Sequence, residues 1–159
     1  MNKIILVGKA AAGKDHMRKI LQGRGFTYGV SYTTRPKRPG EIDGEDYFFL
    51  TTDEFEDMKF QNKWYEYVEF NGWYYGTTNK QFHETCNLFI MTPAGIKHIT
   101  PVDRKKCTIM YLDISDTTRC SRLSERGDQN DSIERRMYAD NKDFKDFNTY
   151  DILINNSNF

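Results

Sequence analysis

A short apolar run, Lys3-Ile4-Ile5-Leu6-Val7, stops at Gly8 and passes directly into Gly8-Lys9-Ala10-Ala11-Ala12-Gly13-Lys14-Asp15, a GxxxxGK loop. A helical pattern over residues 15–21 follows, and Gly23 is expected to stop it. Nothing else in the 159 residues restricts the fold as much. A buried strand, a glycine-bearing loop and a helix start must come in that order if backbone N–H groups and the positive helix end are to converge on a phosphate, with Lys14 reaching the same oxygens. The glycines let the main chain wrap closely with no Cβ in the way. Gly8, Lys9, Ala10, Ala11, Ala12, Gly13, Lys14 and Asp15 are therefore assigned to a polyphosphate. An ordinary tight turn holding a lysine is the plainer alternative, and the agreement of strand, spacing and helix argues against it. The residue after the lysine in such loops is usually a Ser or Thr that ligates Mg²⁺. Here it is Asp15, a carboxylate that can also take the metal, and it is the candidate metal residue.

The loop calls for a parallel sheet, and the chain offers one. Residues 88–91, 108–112 and 151–154 read as further core strands, with helical patterns over 93–99, 116–125 and 132–147 between them. Strands alternating with helices indicate an α/β fold with a parallel sheet flanked by helices. The middle third differs. Residues 47–50, 64–70 and 73–75 are aromatic, β-branched or alternating, with a turn at Asn71-Gly72. They are expected to form a small antiparallel sheet. The single domain thus reads as a core of residues 1–32 and 86–159, with a mixed α/β insertion at 33–85.

Apolar residues at 38% supply a core, and with 29% charged the chain is not of the disordered class. No stretch reaches the length of a membrane span, and Met1-Asn2-Lys3 runs straight into a strand, so no signal peptide is expected. Cys86, Cys107 and Cys120 are scattered, which suits free thiols and a cytoplasmic protein. They and His16, His83 and His98 have no metal-ligand spacing. Between residues 41 and 84 acidic side chains far outnumber Lys59, Lys63 and Lys80. That segment would repel a nucleic-acid backbone. Arginines gather instead at 35–38 and 119–136, and such local clusters suit a small phosphorylated ligand. Oligomeric state is left open.

The segment from Ser31 to Phe49 holds Thr33-Thr34-Arg35-Pro36-Lys37-Arg38-Pro39-Gly40-Glu41 and Gly44-Glu45-Asp46-Tyr47. Arg35 and Arg38 are two guanidinium groups able to fork onto a dianionic phosphate. Tyr47 and Tyr75 add phenolic donors. Glu66 can accept from both N1–H and the N2 amino group of guanine, and adenine has neither donor. The hydroxyls of Ser31 and Thr77 suit guanine O6.

This run, with Glu66 and Tyr74-Tyr75-Gly76-Thr77, resembles the guanylate kinase family, and the resemblance extends from the phosphate loop to Asn155. It implies an ATP-dependent kinase acting on GMP or dGMP, with Mg²⁺ accompanying ATP. It puts Ser31, Arg35, Arg38, Glu41, Tyr47, Glu66, Tyr75, Thr77 and Thr92 at GMP, and Asn155 near adenine. Arg119, Arg122 and Arg126 share a helix face at i, i+3 and i+7. Arg122-Leu123, Arg126-Gly127 and the stretch from Ile133 to Arg136 resemble the family's lid, about 119–136, whose arginines close over the transferring phosphate. Lys14, Arg35, Arg122, Arg126 and Arg136 are the catalytic candidates. Arg119 and Arg135 are expected to face solvent, and Trp64, Trp73 and Tyr74 to fill the small sheet's core.

Two departures stand out. Where the family has an acidic pair that helps bind guanine and organise Mg²⁺, this chain has Thr92 in Ile90-Met91-Thr92-Pro93. It also stops soon after Asn155, without the family's final helix. The first departure motivates a broader deoxynucleoside monophosphate kinase as an alternative. A catalytically inactive binding module of the same fold is another, and retention of Lys14, Arg35, Arg38 and the lid arginines argues against it.

Overall fold

The computed structural model describes residues 1–127 and 132–159. In chain order its elements are β1 (Lys3–Gly8), α1 (Lys14–Gly23), β2 (Tyr32–Thr33), β3 (Phe48–Phe49), α2 (Thr52–Phe60), β4 (Trp64–Phe70) and β5 (Trp73–Thr78). A π-helical turn (Gln81–Thr85) leads to β6 (Leu88–Ile90), α3 (Pro93–Ile96), α4 (Pro101–Arg104), β7 (Cys107–Leu112), α5 (Asp116–Arg126), α6 (Ile133–Phe144) and β8 (Ile152–Ile154). The fold is α/β. One sheet, in the order β6-β1-β7-β8, is parallel throughout, and a second, in the order β3-β2-β5-β4, is separate from it.

The period of two along β1 builds both faces of the parallel sheet. Ile5 and Val7 pack with Phe82, Phe89, Ile109 and Tyr111, while Leu6 packs with Leu88, Leu112 and Met17 of α1. A strand covered on both sides needs the unbroken apolar run seen in the sequence. Its last residue, Gly8, delivers the chain to the loop at the carboxyl edge of the sheet, the usual ligand side of such sheets.

The second sheet corrects the antiparallel expectation. β2 pairs antiparallel with β5, and β5 with β4, but β3 runs parallel to β2. The turn joining β4 and β5 is the one read from the sequence, with Asn71 at φ 56° and Gly72 at φ 81°, as a two-residue hairpin loop requires. The helix implied by a mixed α/β insertion, given no position in the sequence, is α2. Its start carries a reciprocal capping box in which Thr51 accepts from the Glu54 N–H and Glu54 reaches back to the Thr51 N–H. Phe55 anchors it, stacked on Trp64 and Tyr74. The helix expected over 93–99 ends at Ile96, and a second short helix, α4, starts at Pro101. Proline pushes the residue before it into extended backbone, and Thr100 at ψ 154° is accordingly the N-cap of a new helix.

Candidate active site

A cleft of about 920 Å³ lies between the phosphate-loop edge of the parallel sheet and the second sheet. It brings together Gly8, Ala10, Ala11, Ala12, Gly13, Lys14 and Asp15 from the loop, and Ser31, Arg35, Arg38, Glu41, Tyr47, Glu66, Tyr75 and Thr92 from the acceptor set. Arg122, Arg126 and Arg136 line it as well. Lys9, Thr77 and Asn155 do not. The Lys9 amine turns to Asn141 at 3.0 Å, Thr77 is buried, and Asn155 is exposed. Ser157 and Phe159, a little further along the chain, reach the cleft in place of Asn155.

On the loop side, Gly13 sits at φ 97° as the N-cap of α1 and no side chain caps the helix. The first N–H groups of α1 are thus left for an anion. Lys14 folds back, donating to the carbonyls of Gly8 and Lys9. Burial brings its amine down to about 8 against the pull of Asp140, and Arg126 and Arg119 push the same way as burial. Asp15 occupies the first turn and is held by Arg18 and Lys19. Burial would raise its carboxyl, but the Arg18 hydrogen bond and the two cations keep it below the usual range.

Arg126 is the centre of the positive field. The residue is exposed, yet partial desolvation on the cleft side and then Arg136, Arg38 and Arg122 lower its guanidinium. Three elements (α5, α6 and the loop after β2) thus aim like charges at one place, an arrangement that a polyanion relieves. The middle of the expected lid, residues 128–131, lies outside the described residues.

The acceptor side is organised differently. Arg35 is buried and grips Glu41 through two parallel bonds of 2.8 Å. Burial alone would lower the guanidinium, but Glu41 outweighs it and raises it. The ring of Tyr47 lies 5.3 Å from the Arg35 guanidinium carbon. Glu41 also accepts from the Arg38 N–H at 2.7 Å, so the pair shapes the loop that presents Arg38. Deeper in, Glu66 is 7% exposed. Burial lifts its carboxyl to about 7, and hydrogen bonds from the Thr77 hydroxyl and N–H pull the other way. Thr77 therefore serves Glu66 from behind and does not line the cleft. A Cβ on Gly95 would stand 2.9 Å from Glu66 Oε2, so a side chain there would make the carboxylate shift. The Thr92 hydroxyl accepts from the Gly95 N–H at 3.0 Å as the cap of α3.

Two expectations are corrected. Arg119 does not face solvent. It is fully buried, ion-paired to Asp140 at 3.1 Å and to Asp116 at 2.7 Å. Arg119 and Asp140 stand on different helices, which no local spacing reveals. Trp73 is half-buried and lines the cleft, whereas Trp64 and Tyr74 pack on Phe55 as expected. Arg135 is exposed, as expected, and its guanidinium donates to Asn71 of the β4–β5 turn. Sequence reasoning also missed Asp140 and Asp143, which line the cleft from α6. Their i, i+3 spacing was the available signal.

The guanylate kinase family model, described as "Guanylate kinase", matches residues 1–159. The guanylate kinase of Bacillus subtilis (strain 168) is 32% identical over 164 residues, covering 98% of this chain and 80% of the relative. That of a Nostoc species (strain PCC 7120 / SAG 25.82 / UTEX 2576) is 34% identical over 164 residues, covering 98% and 82%. The crystal structure of guanylate kinase from Anaplasma phagocytophilum superimposes with a TM-score of 0.74 at 21% identity, covering 98% of this chain and 77% of that one, a likeness of fold.

Proposed function

We propose that this chain, which belongs to the guanylate kinase family, transfers the γ-phosphoryl group of ATP to GMP, and to dGMP, giving the diphosphate. Residues 33–85 act as the acceptor-binding insertion and 119–136 as the lid. The observation that carries the reading is Glu66, a carboxylate buried at the end of the cleft whose described hydrogen-bond partners at Thr77 are neutral donors. Such a group gains most from a ligand that brings two more N–H donors, as the N1 and N2 edge of guanine does, and loses most with adenine.

The rest of the cleft supplies positioning and charge, which is most of what phosphoryl transfer asks of a protein. The loop N–H groups and Lys14 take the donor phosphates, with Lys14 leaving its two carbonyl partners to do so. Arg38, steadied by the Arg35–Glu41 pair, and Tyr47 and Tyr75 hold the acceptor phosphate. Arg122, Arg126 and Arg136 neutralise the group in transit between them. Magnesium, when bound with the triphosphate, would neutralise phosphate charge there. Among the described residues no three His, Cys, Asp or Glu side chains gather to hold an ion alone. Asp15, beside Lys14, is the carboxylate suited to holding a coordinated water. The reading also assigns the chain to the cytoplasm, which suits its three free cysteines. Among the described residues no helix is long and apolar enough to cross a membrane.

A wider choice of acceptor is the second reading, favoured by Thr92, whose hydroxyl is engaged as a helix cap. A coupled ADP-release assay with GMP, dGMP, AMP, dTMP and UMP separates the two. The expected order puts GMP and dGMP first and AMP lower by on the order of 100-fold or more in kcat/KM. AMP turnover equal to that of GMP would overturn the guanine assignment.

A further inference from the structure

The phosphate loop is gripped by more than its own helix. The Ala10 N–H, one of the loop amides that the sequence offers to phosphate, donates at 3.0 Å to Oδ2 of Asp140. The same oxygen accepts from Arg119 Nη1 at 3.1 Å, and that nitrogen lies 3.4 Å from the Ala10 carbonyl. Arg119 is fully buried and Asp140 is 7% exposed. The two residues come from α5 and α6, the helices on either side of residues 128–131. Next along the loop, Ala11 is left-handed at φ 60° and its carbonyl accepts from Arg122 at 2.9 Å. A non-glycine residue in that conformation is strained and persists only where its surroundings hold it.

We infer that Arg119 and Asp140 are a positioning pair for donor binding: together they fix the Ala10 peptide so that the remaining loop amides face the triphosphate. The inference rests on the kinase reading for its donor and goes beyond the residues assigned above. The two members have unequal tasks. Asp140 holds the peptide, and its charge lies close enough to Lys14 to act on it. Left alone, that carboxylate would repel the donor phosphates. Arg119 cancels the charge within the buried pair, and its bond to Asp116 orients it. A buried charge stripped of its partner is strongly unfavourable, and more so beside like charge.

The asymmetry sets the test. Binding of a non-hydrolysable ATP analogue is measured by calorimetry without acceptor, beside KM for ATP and for GMP. Arg119→Met leaves Asp140 uncompensated and should weaken the analogue by about 10-fold or more, with KM for GMP within about 2-fold. Adding Asp140→Asn to Arg119→Met should restore most of that loss, because the amide oxygen still accepts from Ala10 and the charge is gone. Should Arg119→Met not fold, Asp140→Ala and Asp140→Asn decide. The alanine variant, which leaves the Ala10 N–H without its acceptor, should lose about 10-fold in analogue affinity relative to the asparagine variant. Equal affinity of Asp140→Ala and Asp140→Asn, or no recovery in the double variant, would overturn the inference. A loss spread equally over ATP and GMP would overturn it too, since that marks a purely structural pair. Binding without acceptor keeps this test apart from the kinase reading: a protein that binds the analogue and never phosphorylates GMP refutes the reading and leaves the pair measurable.

Discussion

Two carboxylates in this molecule are buried to the same extent, 7% exposed each, and they keep opposite company. Asp140, on the donor side, meets a guanidinium and a backbone N–H. Glu66, on the acceptor side, has a threonine for its described partner, and burial holds its carboxyl near 7. On the proposed reading the donor side binds a ligand common to many proteins, and there charge is paired within the fold and a loop peptide is held by a side chain. On the same reading the acceptor side must discriminate, and there a buried carboxylate has, among the described residues, no charged partner to share with one base. Burial beside a charge partner builds a frame, even with Arg119 Nε left without a hydrogen bond among the described residues, and burial without a charge partner builds a preference.

The contrast breaks most visibly if the paired side is unpaired. Arg119→Met should lower stability to chemical denaturation by about 3–5 kcal/mol, as expected when one member of a buried ion pair is removed. A cost below about 1 kcal/mol would mean that the pair behaves as a surface bridge and that the comparison with Glu66 is empty.

The acceptor side should respond with opposite signs for stability and activity. The folded-state pKa of Glu66 is raised above that of an unfolded glutamate. Protonation therefore contributes stability that is fully present below about pH 4 and is lost as pH rises through 7. At pH 8 Glu66→Gln should stabilise the ligand-free protein by about 2 kcal/mol. The same change sets an amide donor against guanine's donors and should cost about 2–3 kcal/mol in kcat/KM for GMP. A variant that loses activity and stability together would place Glu66 among residues that hold the fold.

The smallest effect concerns Asp15. Its side chain is 61% exposed and paired with Arg18 and Lys19, so Asp15→Asn should change stability by less than about 1 kcal/mol. If a coordinated water links it to the metal of the donor, the Mg²⁺ concentration for half-maximal activity should rise. Superimposed Mg²⁺ titrations for the two proteins would remove Asp15 from the donor site and leave it a helix-terminus charge.

What was legible in the sequence follows the same division. The loop from Gly8 to Lys14 was readable because strand, loop and helix succeed one another along the chain, and local physics fixes each. That Glu66 and Arg38 line one cleft was readable because Arg38 sits in a long run of unusual residues and both have chemistry that suits a nucleotide. Helix α2 carried its signal, the Thr51 and Glu54 capping box, but its residues were left unassigned between two aromatic segments read as strands. Arg119 read as solvent-facing because arginine at helical spacing usually is. Its burial depends on Asp140, a partner on another helix that no spacing discloses. The parallel pairing of β2 with β3 was hidden for a like reason, since two-residue strands carry no period and their register is set by the sheet they join.

The central claim is that Glu66 waits, partly protonated, for the donors of guanine. Calorimetric titration of GMP at pH 7 in buffers of different ionisation enthalpy counts the protons released on binding. With its carboxyl near 7, Glu66 is about half protonated there and must ionise to accept from the base, so the wild-type protein should release about half a proton more than Glu66→Gln. An equal count in the two proteins, with GMP bound to both, would contradict the account.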